Sequence, residues 1–490
     1  MEWTQDRRKS LYILLGFALF LFFFQLGDRP LRNPDEGRYA HITSQMADSG
    51  NWLEPKLFGI DYLRKPPLFY WLLALSFKIF GTNEWAARAV PAVFGLAGVF
   101  TAYFFSRKFF GSLAAAFTAI FLIVNPWYLH VSRFLVIDAV FSFFVTASFY
   151  LFYLAMTEKP RAFVFYMGFY VCVALAFLTK GVLALAFPGI AILIYLLWTR
   201  QTVRTLTECH LFLGGLVFLL IAGPWFAWMS LNKPDFWQLF FVREHLARFS
   251  AENFEHQEAW YFYPALMTAF LSPWIFFPSV FRFARERIRV SAPASPILFL
   301  LISGFSGIFF LSLSKSKLAT YVLPLLPFFC IALGAAWAKL VEKTPSRLKI
   351  FYTFFSLLVL SAYAVIFLME TVNWEYSSKP FAIYAKEKIK SSDPFFIYDH
   401  PGPFYDFIFY CKHPVRPIGL EGELEVTRGN SDAQKIALSK SDFQGLLARG
   451  DHFYCLMRRS DWHDIPAAIQ PKLKILHQDI RKILFEAGAP

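Results

Sequence analysis

Long apolar runs alternate with short charged turns along most of this chain. Runs at 11–27, 87–106, 111–128, 134–156, 162–178, 182–198, 210–230, 261–281, 296–313, 318–338 and 349–369 each approach the roughly 20 residues a helix needs to cross a bilayer, so about eleven spans are predicted. The run Leu68 to Phe80 is too short to span, follows two prolines and is rich in aromatics, which suits a helix lying along the interface. From about Thr371 to Pro490 the pattern becomes more polar. Phe395-Phe396-Ile397-Tyr398 and Phe453-Tyr454-Cys455-Leu456-Met457 read as strands, 378–390 and 432–448 as helices, and Gly and Pro punctuate the rest. The predicted fold class is an α-helical polytopic membrane protein, residues 1–370, followed by a small C-terminal α/β soluble domain, 371–490. Two polar stretches, 28–86 and 231–260, interrupt the membrane part as loops.

Composition agrees. Of 490 residues 57% are hydrophobic and 17% charged, against about 45–50% and 25% in soluble proteins. A net charge of +13 would suggest nucleic acid in a soluble chain, but no RNA- or DNA-binding motif accompanies it. Its plainer source is Lys and Arg gathered in cytoplasmic turns and beside anionic headgroups. Arg7-Arg8-Lys9 precedes the first apolar run like a signal-peptide start, yet no small-x-small cleavage site follows, so an uncleaved first span is expected. The five cysteines form no metal-ligand pattern; Cys411 and Cys455 fall in the tail, where a disulfide is open.

Loop charge orients the chain. With the N-terminus inside, the inner turns hold Arg107/Lys108, Lys159/Arg161, Arg200/Arg204, Arg282/Arg285/Arg287/Arg289 and Lys343/Arg347/Lys349. An odd span count then puts the tail outside. Against this background Arg133, Asp138, Lys180, Lys315 and Lys317 stand out, because all lie at outer span ends. A charge at the bilayer centre costs about 2.5–3.5 kcal/mol on insertion scales, so such groups face water, partners or substrate. A lone Lys180 could simply snorkel to headgroups, and Arg133 could pair with Asp138. Several cations converging from distant outer turns point instead to a shared anionic ligand.

The loop 33–67 carries the most chemistry. Asn33 suits an N-cap, Pro34 the first helical position and Glu36 the third, so a capped helix is expected. Tyr39, Ile42 and Met46 form its apolar stripe and Gly50 ends it. Capping accounts for Glu36 better than catalysis does. Asp35 lies roughly 100° away around the axis and is left to point elsewhere. Capping does not account for Arg64-Lys65, about thirty residues later.

Pro34-Asp35-Glu36-Gly37-Arg38-Tyr39, Ser49-Gly50-Asn51-Trp52 and Tyr62-Leu63-Arg64-Lys65-Pro66-Pro67-Leu68 resemble the first periplasmic loop of the bacterial lipid A aminoarabinose transferases, whose wider relatives include the protein O-mannosyltransferases. Asp138, Leu178-Thr179-Lys180-Gly181, Arg243 to Phe249 with His256-Gln257, Trp260 to Tyr263 and Ser314 to Pro324 continue the resemblance in order. It implies a GT-C fold with about 11–13 transmembrane helices and a glycosyltransferase in the bacterial inner membrane, with active site and tail on the periplasmic face. The implied donor is a polyprenyl (undecaprenyl) phosphate sugar, and the implied acceptor is lipid A or another envelope glycan or protein, attacked with inversion. By residue-to-residue match, Asp35 is the acid/base-side residue and Lys65 binds the lipid phosphate. Arg38, Tyr39, Tyr62, Asp138, Lys180, Arg248, Lys317 and Tyr321 would line the cavity. No cofactor is implied with any force: a divalent metal stays open, but the position before the lysine, a glutamate in the aminoarabinose transferases, is Arg64 here. No metal site is therefore carried over, and His245 and His256 lose their strongest partner.

The residue types suit that chemistry independently. Displacing a lipid phosphate develops negative charge on the leaving oxygens, which Lys and Arg stabilise in a low-dielectric pocket. Asp35 can act as general base on a hydroxyl acceptor; a phosphate acceptor needs no deprotonation, and Asp35 would then orient it. Two other classes compete. A lipid or sugar transporter would show paired, repeat-related broken helices, and no such duplication is visible. An outward lipid- or peptide-binding module would place the function in the tail, where His400, His413 and His452 have no assigned role.

Overall fold

The computed structural model describes residues 7–247, 257–290, 295–398, 401–419 and 431–488. The chain divides into two compact units: Met1–Leu26, Leu63–Phe69 and Arg88–Phe367 in the first, Gly27–Tyr62, Tyr70–Ala87 and Leu368–Pro490 in the second. This differs from a division at residue 370, since most of the first polar loop belongs to the same compact unit as the tail.

Among the described residues seven helices are long and apolar enough to cross a membrane: Glu84–Phe110, Asp138–Thr157, Lys159–Lys180, Leu211–Asn232, Pro296–Leu313, Ala319–Lys343 and Arg347–Ala364. The run expected as one span at 111–128 is a bent pair, Ser112–Ile123 and Pro126–Ser132, meeting at 65°. Asn125 causes the break. Its Oδ1 accepts from Tyr128 N at 3.0 Å to cap the second helix, its amide donates to Phe270 O at 2.7 Å, and Pro126 occupies the first turn. Three further expected spans fall on shorter apolar helices, Tyr12–Phe23, Leu183–Thr199 and Phe262–Leu271. The last is cut short where Ser272-Pro273 leads into the 3₁₀ turn Trp274–Phe276, because proline offers no N–H to continue the ladder. By length and composition alone seven described helices qualify as spans, or eight counting the bent pair, and the three shorter apolar helices occupy the remaining expected runs.

The first unit packs helix on helix. Asp138–Thr157 lies against Ala162–Lys180, and Ser112–Ile123 against Leu326–Lys343. The second contact depends on a missing side chain: a Cβ on Gly334 would stand 2.4 Å from Thr118 Oγ1 and 2.7 Å from Ala114 O. Close approach through small residues is how helices associate where lipid offers no hydrophobic gain. Two buried arginines finish the first helix. Arg133 donates to Leu21 O at 2.6 Å and Phe24 O at 2.7 Å, and Arg88 to Leu26 O at 3.1 Å. A suggested Arg133–Asp138 pair is therefore replaced by a cap on carbonyls that have no helical partner.

In the second unit five strands form a mixed sheet of order β4-β3-β5-β7-β6, where β3 is Phe395–Tyr398, β4 Arg416–Ile418, β5 Phe453–Arg458, β6 Lys474–Gln478 and β7 Lys482–Ala487. β3 runs parallel to β4 and β5; β7 is antiparallel to β5 and β6. Phe396, Phe443, Phe453, Met457 and Phe485 form its core. The helix expected at 432–448 is two, Ser431–Ile436 and Lys440–Arg449, because the Ser439 hydroxyl caps the second by accepting from Asp442 N. All five cysteines are free; Cys411 and Cys455 are separately buried in this unit, and burial pushes both thiols up. His413 is held by Pro414 O and Lys390 O, and His452 faces Glu486 at 3.2 Å; His400 lies outside the described residues.

The loop helix Asp35–Ser49 packs on the tail helix Tyr405–Cys411. A short hairpin follows, Lys56–Leu57 with Ile60–Asp61, turned by Phe58 at φ 54° and Gly59 at φ 80°. As expected, Tyr39, Ile42 and Met46 are buried and Gly50 ends the helix at φ 71°. The start departs from expectation. Pro34, not Asn33, holds the cap position, with no side-chain cap. Asn33 is turned to the tail instead: its amide donates to Pro403 O at 2.8 Å and to Asp406, and its Oδ1 accepts from Asp406 N at 3.1 Å.

Candidate active site

The loop residues are built from the helix start outward. Asp35 is the first helical residue and its side chain is 48% exposed, where the helix dipole favours a carboxylate. Its Oδ1 accepts from Arg38 Nη2 at 2.6 Å, one turn on, and the Arg38 guanidinium lies 5.3 Å from the Tyr39 ring centre. Glu36 is fully buried and accepts from Arg32 N at 2.9 Å and Asn373 Nδ2 at 3.5 Å. Its carboxylate is spent on holding the chain before the helix. Gly37 has a reason too: a Cβ there would come within 2.6 Å of Asp406 N. Tyr62 is buried, its N–H donating to Pro55 O at 2.8 Å.

Asp406 organises this region. It is completely buried, and its Oδ2 accepts from Ser377 Oγ at 2.6 Å and Ser378 N at 2.7 Å while Oδ1 takes the Asn33 amide. Burial raises its pKa, with Lys482, Ser377 and Asn33 pulling the other way. Lys482, also buried, donates to Ser377 O at 2.6 Å; burial lowers its pKa against the pull of Asp406. No hydrophobicity pattern could have revealed this network, because its members are 373 residues apart in the chain.

The first unit holds two further groups. Lys65 Nζ stands 3.2 Å from Glu244 Oε2, and Arg64 Nε 3.5 Å from Glu244 Oε1. Glu244, side chain 5% exposed, sits on the π-helical stretch Gln238–Ala247. Glu244 lies within the Arg243 to Phe249 motif, and no local sequence signal marks it as the partner of Lys65. The other group pairs Asp138, first residue of its helix, with Lys180, last residue of the neighbouring one, Nζ to Oδ1 at 2.5 Å. Each charge complements the dipole of its own helix end, and the two antiparallel helices bring those ends together. Lys180 Nζ also lies 4.2 Å from the Tyr321 ring centre. Lys317 is buried and donates to Ser314 O at 2.6 Å and Glu258 O at 2.9 Å; burial, with Lys315 nearby, lowers its pKa. Thus Lys65 meets Glu244, and Lys180 meets Asp138 and Tyr321. Arg248 and His256 lie outside the described residues, as does the side chain of His245. Among the described residues no three His, Cys, Asp or Glu side chains gather as metal ligands.

Residues 64–228 match the family model for dolichyl-phosphate-mannose-protein mannosyltransferases. The structure resembles the crystal structure of ArnT from Cupriavidus metallidurans bound to undecaprenyl phosphate, with a TM-score of 0.82, 23% identity and 97% of each chain covered. It also resembles the archaeal oligosaccharyltransferase AglB from Archaeoglobus fulgidus, TM-score 0.56 and 13% identity, covering 93% of this chain and 70% of that one. The fold is therefore the GT-C glycosyltransferase fold, in a multi-span membrane protein. An undecaprenyl phosphate-alpha-4-amino-4-deoxy-L-arabinose arabinosyl transferase of Pseudomonas paraeruginosa is 31% identical over 77% of this chain and 69% of its own length. The chain belongs to that arabinosyl transferase family. A Shewanella sediminis member is 34% identical over 68% of this chain and 61% of its own; one from Pseudomonas savastanoi is 33% identical over 64% and 58%. The chain thus spans about six-tenths of the length of these two relatives.

Proposed function

We propose that this protein is a membrane glycosyltransferase that moves a sugar from an undecaprenyl phosphate donor to an envelope acceptor such as lipid A, with inversion at the anomeric carbon. The observation that carries the reading is family membership, since its relatives are named for an undecaprenyl phosphate-linked aminoarabinose. The site fits. Lys65, Lys180 and Lys317 are basic groups set in largely buried surroundings, where a cation stabilises a departing phosphate far better than in water. Glu244 and Asp138 keep two of those ammonium groups compensated and oriented. Arg38 holds Asp35; Tyr39, Tyr62, Tyr321 and Arg248 join the proposed lining on the family resemblance alone. With a hydroxyl acceptor, Asp35 takes the proton, a contribution of about 10²–10⁴-fold. With a phosphate acceptor it orients the nucleophile. The proposed active face and tail are on the periplasmic side of the inner membrane, a placement that the basic inner turns support.

The test is transfer from undecaprenyl phosphate-aminoarabinose to lipid A, read by mass spectrometry. Asp35→Asn and Lys65→Ala should lower transfer by about 10²-fold or more while folded yield is kept. Wild-type rates in both variants would remove these residues from the mechanism. Lipid movement across liposomes without sugar transfer from any polyprenyl donor would favour a transporter.

A further inference from the structure

The second unit contains a cavity of about 530 Å³ whose lining includes Arg32, Tyr376, Arg458, Ser460, Arg481 and Lys482. Among the described residues four cations line it and no carboxylate does. The acids that reach these cations come from outside the lining. Arg458 Nε meets Asp461 at 2.7 Å, and Arg481 meets Glu375 at 2.7 Å. Among the described residues the Arg32 guanidinium meets no carboxylate; it lies 5.1 Å from the Tyr376 ring centre, and that of Arg481 4.3 Å from the same ring. Stacking of this kind holds a guanidinium plane in place while its N–H groups stay available. A second, larger cavity in this unit, about 720 Å³, makes the contrast: Lys56 and Lys412 line it together with Glu54 and Asp48, to which they are paired.

We propose that the Arg32–Arg481 cavity is an anion site that takes a phosphoryl group borne on a sugar or on a lipid headgroup. Guanidinium forks match phosphate oxygens. The volume fits more than a bare phosphate, and Tyr376 offers an apolar face to the group that carries it. Position gives the site a consequence. Arg32 and Asn33 immediately precede Pro34-Asp35, so a ligand held by Arg32 fixes the chain that enters the loop helix. That link to transfer rests on the proposed activity; binding itself does not.

The ligand has two sources, a phosphorylated glycan acceptor or a membrane phospholipid, and the test separates them. Purified full-length protein in neutral detergent is titrated with glucosamine 1-phosphate, and retention of phosphatidylglycerol is followed by native mass spectrometry. Binding of the first points to the glycan, retention of the second to the lipid, and either supports the site. Arg32→Gln and Arg481→Gln should each weaken the bound probe about tenfold or more, and Arg32→Lys less. Arg449→Gln, at an exposed pair with Asp451, should leave it unchanged. Melting temperatures of all variants report folding separately. The proposal is overturned if wild-type protein holds neither probe, if the double variant Arg32→Gln/Arg481→Gln binds as well as wild type, or if Arg449→Gln weakens binding equally. Lost binding in the Arg32 and Arg481 variants of a protein that transfers no sugar would sustain the site and remove only the activity.

Discussion

His41 makes the loop acid-sensitive, in a direction that can be worked out. It lies fully buried on the loop helix, and its Nε2 accepts the N–H of Phe58 at 3.0 Å, so that nitrogen carries no proton. Burial lowers its pKa from 6.5 to about 4, with the nearby Tyr405 backbone and Gln45 side chain pulling the other way. Between those values the unfolded chain binds the proton that the folded loop refuses, so stability rises with pH and is lost on acidification. With these two values the loss is about 2 kcal/mol near pH 5 and about 3 kcal/mol near pH 4. Protonation also removes the acceptor for Phe58 N, which ties the helix to the Lys56–Asp61 hairpin. The assay is denaturant unfolding of the full chain in detergent from about pH 7 to pH 4, with hydrogen exchange over peptides 41–58. His41→Gln keeps an acceptor but does not titrate, so its stability should fall less on acidification by the amounts above. Equal acid loss in variant and wild type would refute the reasoning.

Two further outcomes follow from buried charges. Asp406→Ala leaves Ser377, Ser378 N and the Asn33 amide without their acceptor and Lys482 without its nearby carboxylate, so the second unit should lose about 3–5 kcal/mol, read by unfolding and by faster exchange around Asn33. Unchanged exchange there would count against the network. In a double-mutant cycle, Asp138→Asn and Lys180→Met should couple by about 1–3 kcal/mol in thermal unfolding of the full chain, whereas additive effects would show that the 2.5 Å pair holds nothing together.

The sequence alone determined the membrane class, because runs near 20 apolar residues have few other uses, and the helix Asp35–Ser49, because its stripe and Gly50 are local signals. β3 and β5 were legible for the same reason. Local pattern was weaker wherever a single residue interrupts an apolar run. The break at Asn125 depends on the distant acceptor Phe270 O, and the stop after Leu271 lies inside a hydrophobic stretch. Ordered motifs put Asp35, Lys65, Lys180 and Lys317 among the candidates. They could not say which acid meets which cation. Only the tertiary structure decided that Arg133 caps carbonyls while Asp138 takes Lys180, that Glu244 faces Lys65, and that Asn33 binds Asp406 instead of capping its helix. The physical reason is common to all four. Apolar burial repeats along the chain and leaves a period, whereas a buried charge needs one partner at one distance, and that partner is supplied by whichever element packs beside it.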